Sequence, residues 1–345
     1  MLYAGIAWTA EGYEVEVLDA EGNRAVEPAR WGADRVPELT RWLGETERGA
    51  GRPCAVVVES TNGLVDGLLT AAGLDVHRAD PWLLPDRPAF GSVSARVLAE
   101  RARTGLAALS PLTAEGGGQT GRDEDYHTGI RRSEDVEAAM TRAGRCFRHG
   151  RRDRPEVALT FDDGPDPVFT RQVLEILERY DVRATFFCVG LHVSALPDEV
   201  RRIRDAGHSF GNHTWSHPFL PDLTAAQFRL QIERTGDAFE RAVGERPRVF
   251  RPPYGSRTPE TLGELRTEGP AVALWDVDSW DWARQGPGKI TRTVLDHTAP
   301  GSMILMHDGG GDRRQTVQAL PGILENLLAR GLTFVPATHL CPTDL

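Results

Sequence analysis

The sequence predicts an α/β protein in two parts: a smaller α/β domain over 1–110 and a domain of repeated βα units over 151–345, joined by a linker at 111–150. Three observations predict it. From "RPEVALTF" to the C-terminus, short apolar runs alternate with helical stripes, the pattern of a barrel or an open parallel sheet. A similar alternation fills the first 110 residues. Between the two, "TAEGGGQTGRDEDYHTG" (113–129) has no periodicity and is rich in Gly, Asp and Glu.

In chain order, "MLYAGIAWTAEGYEVEVLDA" alternates as a strand hairpin with a turn expected near Asp19 and Gly22. "CAVVVES" (54–60) reads as a buried strand, while "LVDGLLTAAG" (64–73) and "VSARVLAERAR" (93–103) read as helices. In the second part, strands are expected at 157–161, 184–189, 248–250, 271–275, 302–306 and 332–335. The helices between them are "VFTRQVLEILERY", "LPDEVRRIRDAG", "TAAQFRLQIERTGDAFERAVG", "TPETLGELRTEG", "KITRTVLDHTA" and "TVQALPGILENLLARG". The third is the best marked. Thr224 and Gln227 form a capping box, and Phe228, Ile232, Phe239 and Val243 make an apolar stripe.

A hydrophobic share of 40% with 26% charged residues describes an ordinary globular protein. The net charge of −10 argues against a chain that binds a phosphate backbone, so no nucleic-acid partner is expected. No apolar run is long enough to span a bilayer, so no membrane partner is expected either. The N-terminus lacks a basic start and an unbroken apolar core, which predicts a cytoplasmic location. Cys54, Cys146, Cys188 and Cys341 show no CxxC spacing and read as reduced thiols.

Chemistry collects at the expected carboxyl ends of the strands, where βα folds carry their sites. "TFDDGP" (160–165) ends a buried strand in adjacent carboxylates, Asp162 and Asp163, whose repulsion a divalent cation would neutralise. "GNHTWSHP" (211–218) sets His213 and His217 four apart, so one helical turn would bring both imidazoles to one face. Two imidazoles and a carboxylate suit Zn²⁺, Fe²⁺, Co²⁺ or Mn²⁺, with positions left open for water and substrate. Thr214 follows His213 where a zincin motif needs Glu, so the general base must come from elsewhere, and one of the paired aspartates is available.

"FRPPYGS" (250–256) carries Arg251, which can pair with a strand-end carboxylate. Its two prolines make Tyr254 N–H the first backbone donor after them, a candidate oxyanion donor. "WDVDSWDW" (275–282) interleaves three tryptophans with three aspartates, as a pocket wall would. "MILMHDGGG" (303–311) delivers His307 at a strand end, a candidate proton donor.

Together these motifs resemble the NodB-type polysaccharide deacetylases, family 4 of the carbohydrate esterases, over residues 155–340. The resemblance implies a distorted, incomplete (β/α) barrel and a divalent metal, zinc above all, with Co, Mn, Fe or Ni as other choices. It implies that Asp162 is the catalytic base and that Asp163, His213 and His217 hold the metal. Arg251 would orient the base, Tyr254 supply the oxyanion amide, and Asp278 tune the acid His307, while Trp280 and Leu305 line the pocket for the acetyl methyl.

In the first part, "YAGIAWTAEGYEVEVLDAEGN" and "VVVEST" weakly resemble the RNase H-like domain of DEDD transposases. Ala7 stands where that family places an aspartate, and "FGSVSARVLAER" (90–101) has none, so the nuclease chemistry is expected to be lost even though Glu59 remains.

The expected activity is metal-dependent hydrolysis of an N-acetyl group on an amino sugar. A cytoplasmic enzyme meets soluble metabolites, so a small sugar or sugar-containing metabolite is the expected substrate, and the first domain would narrow the cleft or join subunits into a homo-oligomer. The alternatives are a cell-wall or chitin oligosaccharide deacetylase exported without a recognisable signal, and a non-haem Fe(II) oxygenase using the same two histidines and carboxylate.

Overall fold

The computed structural model describes residues 1–59, 65–80, 83–85, 88, 90–112 and 123–342, with side chains from residue 127 in the helix that starts at Asp123. The described residues divide into two compact units, the first ending at Leu112 and the second starting at Asp123, with Ser216–Pro218 grouped with the first.

The first unit runs β1 (Leu2–Trp8), β2 (Gly12–Leu18), β3 (Ala29–Gly32), α1 (Val36–Ala50), β4 (Cys54–Val58), α2 (Val65–Ala71), β5 (Asp75–Arg78), α3 (Ala95–Gly105) and β6 (Ser110–Leu112). Its sheet has the order β3-β2-β1-β4-β5-β6, with β4 parallel to β1 and β5, and antiparallel pairing elsewhere. The hairpin turn between β1 and β2 falls one turn earlier than expected, where Thr9 N–H donates to Gly12 O at 2.8 Å. Asp19 and Gly22 instead form the next turn, held by Asn23 N–H donating to Asp19 Oδ1 at 2.8 Å. Helix α3 packs directly onto β1 at Gly5, where a Cβ would stand 1.9 Å from Ala95 O. Glu59 is buried, and its Oε2 accepts from Val93 N–H at 2.9 Å just ahead of α3.

The second unit runs α4 (Asp123–Arg142), β7 (Cys146–Phe147), β8 (Glu156–Asp162), α5 (Phe169–Arg179), β9 (Thr185–Cys188), α6 (Gly190–Ala195), α7 (Pro197–Asp205), β10 (Ser209–Asn212), α8 (Ala225–Val243), β11 (Val249–Phe250), α9 (Pro259–Glu264), β12 (Ala271–Ala273), β13 (Val277–Asp278), α10 (Pro287–His297), β14 (Met303–His307), α11 (Arg314–Ala329) and β15 (Thr333–Phe334). Its sheet order is β13-β14-β8-β9-β10-β11-β12-β7, with β15 added on β8, and every pairing is parallel. This curled, open parallel sheet is a distorted, incomplete (β/α) barrel.

Much of the stretch read as a linker belongs to this unit. α4 spans twenty residues and buries Met140, and β7 pairs with β12. Residues 113–122, the centre of the glycine-rich segment, lie outside the described residues. The short strands β10 and β13, at four and two residues, have too little apolar pattern to stand out in sequence. α8 begins at Thr224 with the capping box in place: Thr224 Oγ1 accepts from Gln227 N–H at 3.3 Å, and Gln227 Oε1 accepts from Thr224 N–H at 3.0 Å. Because all strands run one way, β8, β10, β11, β13 and β14 deliver the motif residues to one end of the sheet. Among the described residues, no helix is long and apolar enough to cross a membrane.

Candidate active site

The floor of the site is the register of three neighbouring strands. Asp162 lies opposite His307 on β14, and Leu305 is opposite both Thr160 on β8 and Asp278 on β13. β11 then brings in Arg251, a side chain with no exposed surface. Its Nη1 donates to Asp162 Oδ1 and Thr160 Oγ1, both at 2.7 Å, and its Nε donates to Ala273 O at 3.0 Å. Its guanidinium also lies over the Phe187 ring, 4.0 Å from the centroid. Burial lowers the pKa of Arg251 and the Asp162 charge opposes the shift. Such a clamp leaves the carboxylate one orientation, with Oδ2 turned toward His213 Nε2 at 3.8 Å.

Asp163, His213 and His217 bring one ligand atom each to within 4.8 Å of one another. The helical turn expected for His213–His217 does not form. The segment is a loop in which Thr214 (φ 67°) and His217 (φ 55°) take left-handed conformations that curl the two imidazoles together. Two residues with no apparent role in the sequence hold this loop. Asn212 Oδ1 accepts from Thr214 N–H at 2.9 Å, and Gln231 Oε1, on α8, accepts from Trp215 N–H at 2.8 Å. His213 Nδ1 lies 2.8 Å from Arg251 O, which sets Nδ1 as the protonated nitrogen and directs the Nε2 lone pair at the cluster. Two imidazoles and a carboxylate, mostly buried and with one tautomer imposed, fit a divalent ion.

Across from Asp162, the structure pairs His307 with Asp281, not with Asp278. Asp281 Oδ1 is 2.7 Å from His307 Nδ1, and Oδ2 accepts from His307 N–H at 2.9 Å and from Thr316 Oγ1 at 2.7 Å. Burial would discharge both groups, but their mutual attraction and hydrogen bond outweigh it: His307 rises to about 9 and Asp281 falls to about 2. Asp278 instead accepts from Trp280 N–H at 2.8 Å. It therefore braces the turn that holds Trp280 at φ 55°. The spacing within "WDVDSWDW" could not separate these aspartates, because only the turn geometry decides which one reaches His307.

Leu305 is buried, as a pocket floor would be, whereas Trp280 is 48% exposed and tilts against Trp282 with ring centroids 5.2 Å apart. Trp280 thus offers an open aromatic face at the rim in place of the closed wall expected for a methyl group. Tyr254 is held at φ 59° in the Pro-Pro turn. Among the described residues, five of the seven non-glycine residues with positive φ (Asp163, Thr214, His217, Tyr254 and Trp280) belong to these motifs, so backbone strain is concentrated at the site.

The polysaccharide deacetylase family profile matches residues 149–272. A peptidoglycan-N-acetylglucosamine deacetylase of Bacillus cereus is 40% identical over 193 residues, covering 56% of this chain and 70% of that protein. The chain belongs to the polysaccharide deacetylase family. It is also 37% identical over 196 residues to a chitooligosaccharide deacetylase of Bradyrhizobium sp., covering 53% of this chain and 90% of that one. A solved peptidoglycan N-acetylglucosamine deacetylase superposes with a TM-score of 0.56 at 38% identity, covering 57% of this chain and 92% of that chain. As a family member the chain is a carbohydrate deacetylase, a metal-dependent hydrolase of amide bonds acting on an N-acetylated sugar. Nothing in these relatives supports the small-metabolite substrate or the oxygenase reading.

Proposed function

We propose that the enzyme removes N-acetyl groups from amino sugars within cell-wall glycan or chitooligosaccharides, with zinc as its ion. The observation that carries the chemistry is two buried ion pairs, Asp162–Arg251 and His307–Asp281, whose outer members Asp162 and His307 stand opposite each other on adjacent strands beside the Asp163–His213–His217 cluster. The glycan substrate is supported by the relatives named for peptidoglycan and chitooligosaccharides, and by the exposed Trp280–Trp282 pair, which suits stacking against sugar rings.

Asp163, His213 and His217 would hold the ion, which when bound supplies Lewis acidity to the acetyl carbonyl and the attacking water. Asp162 Oδ2, free of the Arg251 clamp, takes a proton from that water as its oxygen bonds to the carbonyl carbon. The left-handed Tyr254 peptide would donate its N–H to the developing oxyanion. His307, cationic at neutral pH, gives its Nε2 proton to the nitrogen as the C–N bond breaks, leaving acetate and a free amine. Asp281 keeps Nδ1 occupied, so only Nε2 can deliver that proton.

The test is acetate release from N-acetylglucosamine, chitooligosaccharides of two to six sugars and peptidoglycan fragments. Turnover that rises with chain length is expected. Equal or faster release from the monosaccharide would overturn the glycan assignment while leaving the deacetylase chemistry intact.

A further inference from the structure

Beyond β14 the chain forms a glycine loop whose backbone lies flat against Asp163. A Cβ on Gly309 would stand 2.2 Å from Asp163 O, and one on Gly310 (φ 72°) would stand 2.4 Å from Asp163 Oδ2. Only hydrogen fits at either position. The loop is closed by Arg313, which is 5% exposed and absent from the reaction described above. Its Nε donates to Gly309 O at 2.6 Å and its Nη2 to Gly310 O at 3.0 Å. The same Nη2 lies 4.0 Å from Asp163 Oδ2, an ion contact too long for a hydrogen bond. The other oxygen of that carboxylate, Oδ1, lies 3.4 Å from His213 Nε2. One oxygen of Asp163 therefore faces the ligand cluster and the other faces the Arg313 clamp.

We infer that Arg313 is a positioning residue for metal binding: by clamping Gly309 O and Gly310 O it presses the glycine loop onto Asp163, and its charge faces Oδ2, so that the aspartate ligates through Oδ1 alone. The inference rests on Asp163, His213 and His217 being the ion's ligands. One-oxygen ligation keeps a further coordination position open for water and the acetyl carbonyl, which a site with only three protein ligands needs. The planar fork is what allows one side chain to donate to two carbonyls while its charge lies beside a carboxylate, so lysine cannot replace it.

The sign of the effect on affinity separates positioning from a mere nearby charge. A cation beside a metal ligand repels the ion, so removing it would tighten binding if charge were its only role. Positioning predicts the opposite. In the full-length protein, Arg313→Gln and Arg313→Lys should each weaken Co²⁺ binding by about 10–100-fold, the usual loss when a partner behind a ligand is removed. Affinity is read by competition with a chromophoric chelator, and circular dichroism of the metal-free protein reports the fold. Gly310→Ala approaches from the other side: with Arg313 intact, its Cβ displaces Oδ2 and should weaken Co²⁺ and alter the visible Co²⁺ spectrum. It also carries the test if an Arg313 variant fails to fold. Unchanged or tighter Co²⁺ binding in the folded variants, with a wild-type spectrum, would overturn the inference. Wild-type protein that takes up no Co²⁺, or His213→Ala that takes up as much as wild type, would instead show that the ligand assignment itself had failed.

Discussion

The two ion pairs that flank the ligand cluster are built with opposite charge. On one side the fully buried member is the cation Arg251, and the carboxylate of Asp162 faces the site. On the other the fully buried member is the anion Asp281, and the imidazole of His307 faces the site. In each pair the deep partner is saturated with hydrogen bonds and ties up one atom of the outer group. The outer group keeps its second atom for chemistry. One fold thus sets a proton acceptor and a proton donor on adjacent strands, and what distinguishes them is the sign of the charge behind each.

The largest expected effect comes from removing the acceptor alone. Asp162→Asn should lose about 10²–10⁴-fold in rate while retaining its metal. Asp163→Asn should lose the metal itself, and metal content by mass spectrometry alongside kcat distinguishes the two. A reversed result would exchange the roles of the paired aspartates.

Breaking the deep member of the first pair should cost stability more than Asp162→Asn does. Arg251→Leu leaves Asp162 without its buried partner, and such a loss typically costs about 3–5 kcal/mol. Urea unfolding should show it as a lower midpoint with an unchanged slope.

The second pair should respond through pH. His307 is raised from its ordinary 6.5 to about 9, so its contribution to stability is full below 6.5 and is lost as pH rises through about 9. Asp281 is lowered from 3.8 to about 2, so its contribution is full above 3.8 and is lost as pH falls through about 2. The protonated His307 that turnover needs should therefore persist to mildly alkaline pH. Asp281→Asn should move the alkaline limb of the rate profile downward by one pH unit or more, a shift of about 1.4 kcal/mol per unit. Asp278→Asn, which removes a charge near His307 but no hydrogen bond to it, should move that limb less. An identical shift in both variants would mean that the contact between Asp281 and His307 is not what sets the proton.

The smallest effect lies at the rim. Trp280→Ala should raise KM for a chitooligosaccharide roughly tenfold, equivalent to about 1.4 kcal/mol, with kcat little changed. Loss of kcat with KM intact would place Trp280 nearer the reacting group than its exposure suggests.

The fold and most of the site were legible because they depend on local pattern. Alternating βα units predict a parallel sheet, a parallel sheet places its strand ends together, and the motifs end apolar strands. The division at 111–150 was misread because a helix with a weak apolar stripe, α4, and the two-residue β7 carry little signal of their own. The curl of the histidine loop, set by left-handed Thr214 and His217 and pinned by Asn212 and Gln231, was also hidden. So were the partner of His307 and the burial of Arg313 against the glycine loop. The sequence alone determined which residue types arrive at the carboxyl end of the sheet, since strand length and period act over a few residues. Which oxygen faces which nitrogen was decided by tertiary structure, because turns of two or three residues, with φ positive at Asp163, His217 and Trp280, redirect side chains by ångströms that no spacing rule records.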